Sequence, residues 1–354
     1  MKREFYLDLA KNGLRFPVGA DLILHEHADH EEILRDGARL GEVVAAAAAR
    51  FKTPIACPVM DLMLEKAILL RQLGIPEADI PTWHFSTTPS GTEVEAIRKG
   101  IQRGDFGVRM QANIDAVRYI ATRSNLIPCG MSIGPFSLMT KLLAEPITPV
   151  YLAGTGLTGA DDPDVKTVEV LMALTTEMVL RSFRAQAEAG AKIFFIAEPA
   201  ANQVFISPNQ IAAGSDVFER LVMASLRRIK AELDRAGVDL FFHCCGELIP
   251  EFVRAFGSLD PAILSLGSSR QLWEDAALLP KTTVLYGNLP SKKFYSDDLV
   301  TVAQAREMSR ELAAKMKDCG HPFILGTECD VLSVKGCEKQ IMAKIQAVVD
   351  SAAD

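Results

Sequence analysis

The feature that most constrains this chain is a rhythm. From about residue 53 to the end, apolar runs of strand length alternate with longer amphipathic segments. The runs read "TPIACPVM", "NLIPCGMSIG", "AKIFFIAEP", "VDLFFHCCG", "PAILSLGS", "TTVLYGNLP" and "PFILGTECD". Most are apolar at consecutive positions, which suits burial on both faces of a sheet rather than one. Between them lie helical stretches such as "DVFERLVMASLRRIKAELDRAG" and "DDLVTVAQAREMSRELAAKMKDCG". Gly190, Gly237 and Gly320 stand where such stretches end, and glycine accepts the left-handed conformation that closes a last helical turn.

This alternation predicts a parallel sheet covered by helices. Seven strands are visible, and "GADLILHEH" or the 80s can supply an eighth, so the expected fold is a (β/α)8 TIM barrel in a single domain spanning 1–354. About the first fifty residues are expected to form a helical extension packed on the barrel, the alanines at 45–49 being good helix. A doubly wound open sheet is the competing topology. It is disfavoured because no strand leads into a G-x-G-x-x-G turn and no G-x-x-x-x-G-K-[ST] loop is present.

Charge and cysteine usage narrow the function classes. A net charge of -7 with no basic stripe argues against a nucleic-acid partner. No uninterrupted apolar stretch approaches the roughly 20 residues of a membrane helix, and "MKREFYLDLAKNGLRF" lacks the pattern of a signal peptide. A soluble, cytoplasmic protein is expected. The seven cysteines are irregularly spaced and odd in number, so reduced thiols are expected rather than a disulfide framework.

Barrel enzymes carry their chemistry at the carboxyl ends of the strands. In "VDLFFHCC" the alternation of side chains puts Phe241, His243 and Cys245 on one face and Leu240, Phe242 and Cys244 on the other. His243 and Cys245 thus form an H-x-C clip, and Cys329, at the end of "PFILGTEC", is the candidate third ligand. One imidazole and two thiolates suit zinc, and three protein ligands leave a position open for substrate. Burial as small hydrophobes is the competing reading for any cysteine, and is the default for Cys57, Cys129, Cys319 and Cys337. A redox role for the adjacent Cys244 and Cys245 would need a strained disulfide ring, and no C-x-x-C motif supports it.

The stretches "MSIGPFSLMTKLL", "QAEAGAKIFFIAEPAA", "FFHCCGELIPEFVRAFGSLDPAILSLG", "VLYGNLP" and "FILGTECDV" together resemble the uroporphyrinogen decarboxylase superfamily, from about residue 110 onward. The H-x-C…C arrangement is similar to its zinc-dependent branch, the methylcobalamin:thiol methyltransferases and related corrinoid-linked enzymes. The resemblance implies a (β/α)8 barrel with zinc on His243, Cys245 and Cys329. It also implies methyl transfer between a corrinoid protein and a small substrate, a thiol or a methyl donor, in a direction it leaves open. The D-x-H-x-x-G corrinoid motif is absent, so cobalamin would arrive on a separate protein. The decarboxylase branch grips its substrate with paired N-terminal arginines; "GLRFPVGADLILHEHADH" has no such pair. Some relatives place an acidic residue near the end of the next strand as a fourth ligand, where this chain reads "LSLGSSRQ". A decarboxylase acting on another substrate and a non-catalytic zinc- or ligand-binding barrel are the alternatives.

Several further residues are candidates. Glu198 ends "AKIFFIAE" and is suited to orient substrate or handle a proton, or to cap a helix. Asn288 in "GNLP" is suited either to hydrogen bond into the site or to hold the turn before Pro290. Arg270 and Lys292 sit in loops after strands, where they would meet an anionic substrate or be solvated. Glu247 is expected to cap the helix at "LIPEFVRAF". His25, His27 and His30 in "LHEHADHEE" are read as a polar surface loop, with a second metal site as the alternative.

Overall fold

The computed structural model describes residues 1–103 and 105–351. Seven strands form one parallel sheet in sequential order: β1 Ile55–Ala56, β2 Ile127–Ile133, β3 Ile193–Ala197, β4 Asp239–Cys244, β5 Ile263–Leu266, β6 Val284–Leu289 and β7 Phe323–Thr327. Helices fill the connections, as the apolar rhythm requires. The longest, Pro163–Glu188, starts on an Asp162 side chain that accepts from the backbone N–H groups of Asp164 and Val165, with Pro163 at its first position. Val302–Cys319 starts on a reciprocal capping box between Thr301 and Gln304. Gly237 (φ 63°) and Gly320 (φ 62°) close their helices in the left-handed conformation and turn the chain into β4 and β7.

Strand alternation sorts the aromatics into two layers. Phe194 and Phe242 point outward, against Phe183 and Phe256 of the covering helices, with ring centroids 5.2 and 4.6 Å apart. Phe195, Phe241 and Tyr286 point inward and touch in sequence at 4.5 and 5.5 Å. Such edge-to-face contacts between β3, β4 and β6 require the sheet to curl. Its two ends also approach: the Met60 N–H after β1 donates to the Asp330 carboxylate after β7 at 3.2 Å. The free edge of β7 is met by the N-terminal segment, where Arg15 bridges Leu325 in parallel and the Phe16 N–H donates to the Leu325 carbonyl at 3.1 Å. Tyr286 secures that segment from inside, donating to the Phe16 carbonyl at 3.0 Å and accepting from the Val18 N–H at 3.2 Å.

The sheet therefore has seven strands among the described residues, and the two stretches considered for an eighth do other things. "GADLILHEH" contains a helix, Ala20–Leu24, with all five residues buried. A mostly apolar run of five residues carries too little periodicity to separate a short buried helix from a strand. The 80s contribute one isolated parallel bridge, Phe85 to Leu143. The first fifty residues hold four helices, Arg3–Lys11, Ala20–Leu24, His30–Ile33 and Gly37–Arg50. The last packs tightly on Gly107–Arg123: a Cβ at Gly41 would lie 2.7 Å from the Tyr119 ring. Among the described residues no helix is long and apolar enough to cross a membrane.

Candidate functional site

The register of the parallel ladder assembles the site. Ala197 pairs with His243, His243 with Ser265, and Ser265 with Tyr286, so Ser265 stands beside His243 on the neighbouring strand. Its hydroxyl lies 2.8 Å from His243 Nδ1. The imidazole is buried, lies 5.4 Å from the Phe195 ring, and its Nε2 has no hydrogen-bond partner. An orphaned buried ring nitrogen is costly unless something else occupies its lone pair.

Two sulfurs meet that nitrogen. Cys245 leaves the end of β4 on the His243 face, and Cys329 leaves the end of β7, three strands away. Their donor atoms and that of His243 all lie within 4.8 Å of one another. A tetrahedral zinc with bonds of about 2.0–2.3 Å places its ligands about 3.5–3.8 Å apart, so small side-chain adjustments convert this cluster into a coordination shell. The Cys329 thiol hydrogen bonds Cys245 and pulls it far down into the thiolate range, helped by His243 and Lys292 against the cost of burial. The same contact, with burial, pushes Cys329 up. A buried imidazole nitrogen held ready by Ser265, beside two cysteine sulfurs, fits zinc by donor chemistry.

Cys244 takes the opposite face. It is fully buried, its thiol points to the Ala201 carbonyl at 3.7 Å, and burial pushes its ionisation upward. Cys57 and Cys129 are buried as well, whereas Cys319 and Cys337 are partly exposed.

Lys292, in the loop after β6, is exposed at the rim of the site beside the sulfurs. Burial works against its charge, but Cys245, Glu328 and Cys329 outweigh that and hold its ammonium above the ordinary lysine value. Glu328 ties three strand ends together. Its carboxylate accepts from the Ser268 hydroxyl at 2.7 Å and the Ser268 N–H at 3.2 Å after β5, and more weakly from the Lys292 N–H at 3.4 Å.

The remaining candidates have structural partners. Glu198 is fully buried, and its carboxylate accepts from the backbone N–H groups of Ser137 at 2.5 Å and Phe136 at 3.3 Å. It therefore caps the helix Pro135–Lys141 that follows β2, rather than the helix after its own strand. Burial raises its carboxyl to about 7 against those hydrogen bonds. Asn288 spends both amide hydrogens on the carbonyls of Gly267 and Arg270, at 2.7 and 2.9 Å, which fixes the loop after β5. Arg270 pairs with the fully buried Asp275 and donates to the Leu248 carbonyl at 3.0 Å. Its guanidinium is thus committed to protein groups. Glu247 does not cap the next helix: the helix Pro250–Gly257 has no side-chain cap, and Glu247 instead accepts from Gln203 at 2.7 Å. A proline at the first helical position already removes one N–H that would need a cap. In the histidine cluster His25 and His27 are exposed and His30 is partly buried; the rings of His25 and His30 lie 4.5 Å apart, tilted by 36°, and their Nδ1 atoms face the carbonyls of Asp21 and His27. Among the described residues, no group of three or more metal-ligating side chains forms there.

Reading the strands singly overlooks Ser265, Ser268 and Glu328. "GTECD" flags acidic neighbours of Cys329, but which of them turns toward the other strands depends on loop geometry.

Residues 20–351 match the family described as Uroporphyrinogen decarboxylase (URO-D). The chain belongs to the uroporphyrinogen decarboxylase family. Among solved structures, a methyltransferase from Methanosarcina mazei superposes with a TM-score of 0.67 at 14% identity, covering 98% of each chain. At that identity the likeness speaks for the fold, a TIM-like arrangement common to this member of the URO-D family and that enzyme. No curated protein gives a match.

Proposed function

We propose that this URO-D family member is a zinc-dependent methyltransferase that moves a methyl group between a separate corrinoid protein and a small substrate such as a thiol. The observation that carries the proposal is the convergence of an unpartnered, buried His243 Nε2 with Cys245 and Cys329 within 4.8 Å. The fold shared with the methyltransferase from Methanosarcina mazei supports it. Zinc bound by these three residues would supply a site where a substrate thiol is acidified and held as a nucleophilic thiolate.

The chain's own groups prepare that site. With Nε2 as ligand, His243 carries its proton on Nδ1 and donates it to Ser265, which fixes the ring. Lys292 places a positive charge against the sulfurs, where it opposes the negative charge that a bound thiolate adds. Glu328 holds the loops after β5 and β6 beside the site through Ser268 and Lys292. Glu198 and Asn288 shape the surrounding strand ends through backbone contacts. We read the scaffold as a single-domain (β/α)8-type barrel whose eighth stave is the segment at Arg15 beside β7. We place a protein with such free thiols in the reducing cytoplasm.

Metal analysis with a methylcobalamin–thiol assay tests the proposal. The wild type should hold about one zinc per chain, and the loss of methyl-cobalt absorbance should require both thiol and metal. Cys245→Ala and Cys329→Ala should lose the metal, while Cys244→Ala should keep it. Full activity after chelation on a carboxylated substrate would instead establish the decarboxylase reading.

A further inference from the structure

Next to the three ligands the barrel mouth contains a cavity of about 320 Å³ with Cys329 and Lys292 in its lining. The rest of its wall is mostly apolar: Met60, Leu62, Leu332, Val334 and Ile341 take part in it. Besides the exposed Tyr295, two polar side chains interrupt that wall, Asp330 and Ser291. Asp330 and Ser291 are more than nine-tenths buried, at 5% and 7% exposure. The Asp330 Oδ1 and Ser291 Oγ atoms have no hydrogen-bond partner in the protein. Asp330 uses its other oxygen to accept from Met60 N–H, which fixes the carboxylate and leaves Oδ1 unused.

A buried acceptor and a buried hydroxyl left unsatisfied in an apolar wall are expensive, on a scale that a ligand recovers by pairing with them. The charges around the cavity restrict what that ligand can be. Lys292 disfavours a cation, and a wall that is otherwise mainly apolar gives poor solvation to a bare anion. A hydroxyl meets both requirements because it is neutral and, being both donor and acceptor, pairs with the Asp330 Oδ1 and with the Ser291 hydroxyl. At roughly 20–30 Å³ per heavy atom, the volume admits about ten to fifteen such atoms.

We propose that this cavity binds a neutral, mainly apolar molecule carrying a hydroxyl group, recognised through Asp330 and Ser291 and seated against the Cys329 end of the metal cluster. Its role as the methyl-transfer substrate pocket rests on the function proposed above; the binding itself does not.

Calorimetry on the metal-free protein tests it with 3-phenylpropanol, propylbenzene, 3-phenylpropanoate and 3-phenylpropylamine, which share a body and differ in the polar end. The alcohol should bind about tenfold more tightly than the hydrocarbon, in line with one net hydrogen bond recovered from unsatisfied groups. Both ions should bind more weakly than the alcohol. Ser291→Ala should cut the preference for alcohol over hydrocarbon several-fold without weakening the hydrocarbon. Val334→Trp, at an exposed rim position, should weaken all four by filling the cavity. Equal affinity for alcohol and hydrocarbon, tighter binding of either ion, or affinities untouched by Val334→Trp would each overturn the proposal, as would no binding at all. Because the protein is metal-free, binding here with no methyl transfer in the assay above would count against the methyltransferase reading alone, and the reverse result against this cavity alone.

Discussion

Ser265 is the position where the assembly of the metal cluster can be tested with the smallest change. Its hydroxyl is the partner of His243 Nδ1, at 2.8 Å, and both residues are buried on adjacent strands. Ser265→Ala removes one oxygen from a β-strand residue and leaves the fold's apolar contacts intact. It leaves Nδ1–H without a partner in a buried site, which costs about 1–3 kcal/mol. The penalty falls on the tautomer that presents Nε2 to the metal, because only that tautomer carries the Nδ1 proton. If the full penalty reaches the coordination equilibrium, zinc affinity falls about ten- to a hundredfold, the range found when an outer partner of a ligating histidine is lost. Competition with a chromophoric chelator reads the affinity, and far-UV circular dichroism of the metal-free variant checks that the barrel is formed. Ser265→Thr, which keeps the hydroxyl, should retain most of the affinity. Wild-type zinc affinity in folded Ser265→Ala would refute the argument, showing that the ring is oriented by packing against Phe195 rather than by this hydrogen bond.

Three further outcomes follow from groups outside the cluster. Glu65 is buried with its carboxyl raised to about 7 by burial, against hydrogen bonds from Ser132 and Ser182, so its stabilising contribution is fully present below pH 4.5 and lost as pH rises to about 7. Relative to Glu65→Gln, the wild type should therefore lose roughly 3 kcal/mol between pH 4.5 and 8; a difference in urea midpoints that does not change with pH would contradict this. Arg270→Ala leaves the fully buried Asp275 without its guanidinium and should cost about 3–5 kcal/mol in chemical denaturation. Zinc content should be unchanged there, and a variant as stable as wild type with impaired turnover would return Arg270 to the substrate site. Glu198→Gln retains one acceptor but turns an amide N–H toward a backbone N–H of the helix Pro135–Lys141, so a loss of about 1–2 kcal/mol with zinc retained is expected; loss of zinc without loss of stability would place Glu198 in the metal site instead.

The parts of this molecule that are legible in the chain itself are those governed by short-range geometry. Parallel strands, their covering helices and the glycine caps at 237 and 320 follow from runs and periods that span a few residues. The separation of Cys244 from His243 follows from the alternation of one strand. Short apolar segments defeat this logic. "ADLIL" is a buried helix and not an eighth strand, because four apolar residues around one aspartate fit either structure and only the packed surroundings decide between them.

Partners across strands belong to the tertiary structure alone. Ser265 reaches His243 through the register of β4 and β5, and Glu328 reaches Ser268 through the end of β7. Arg270, in the loop after β5, and Asn288, near the carboxyl end of β6, stand where a substrate would be sought, yet their hydrogen bonds close on Asp275 and on backbone carbonyls. Residue type and local pattern state what a side chain is able to bind. Which atom it meets depends on strand register, on the curl of the sheet and on what else is buried nearby, and these are properties of the packed chain.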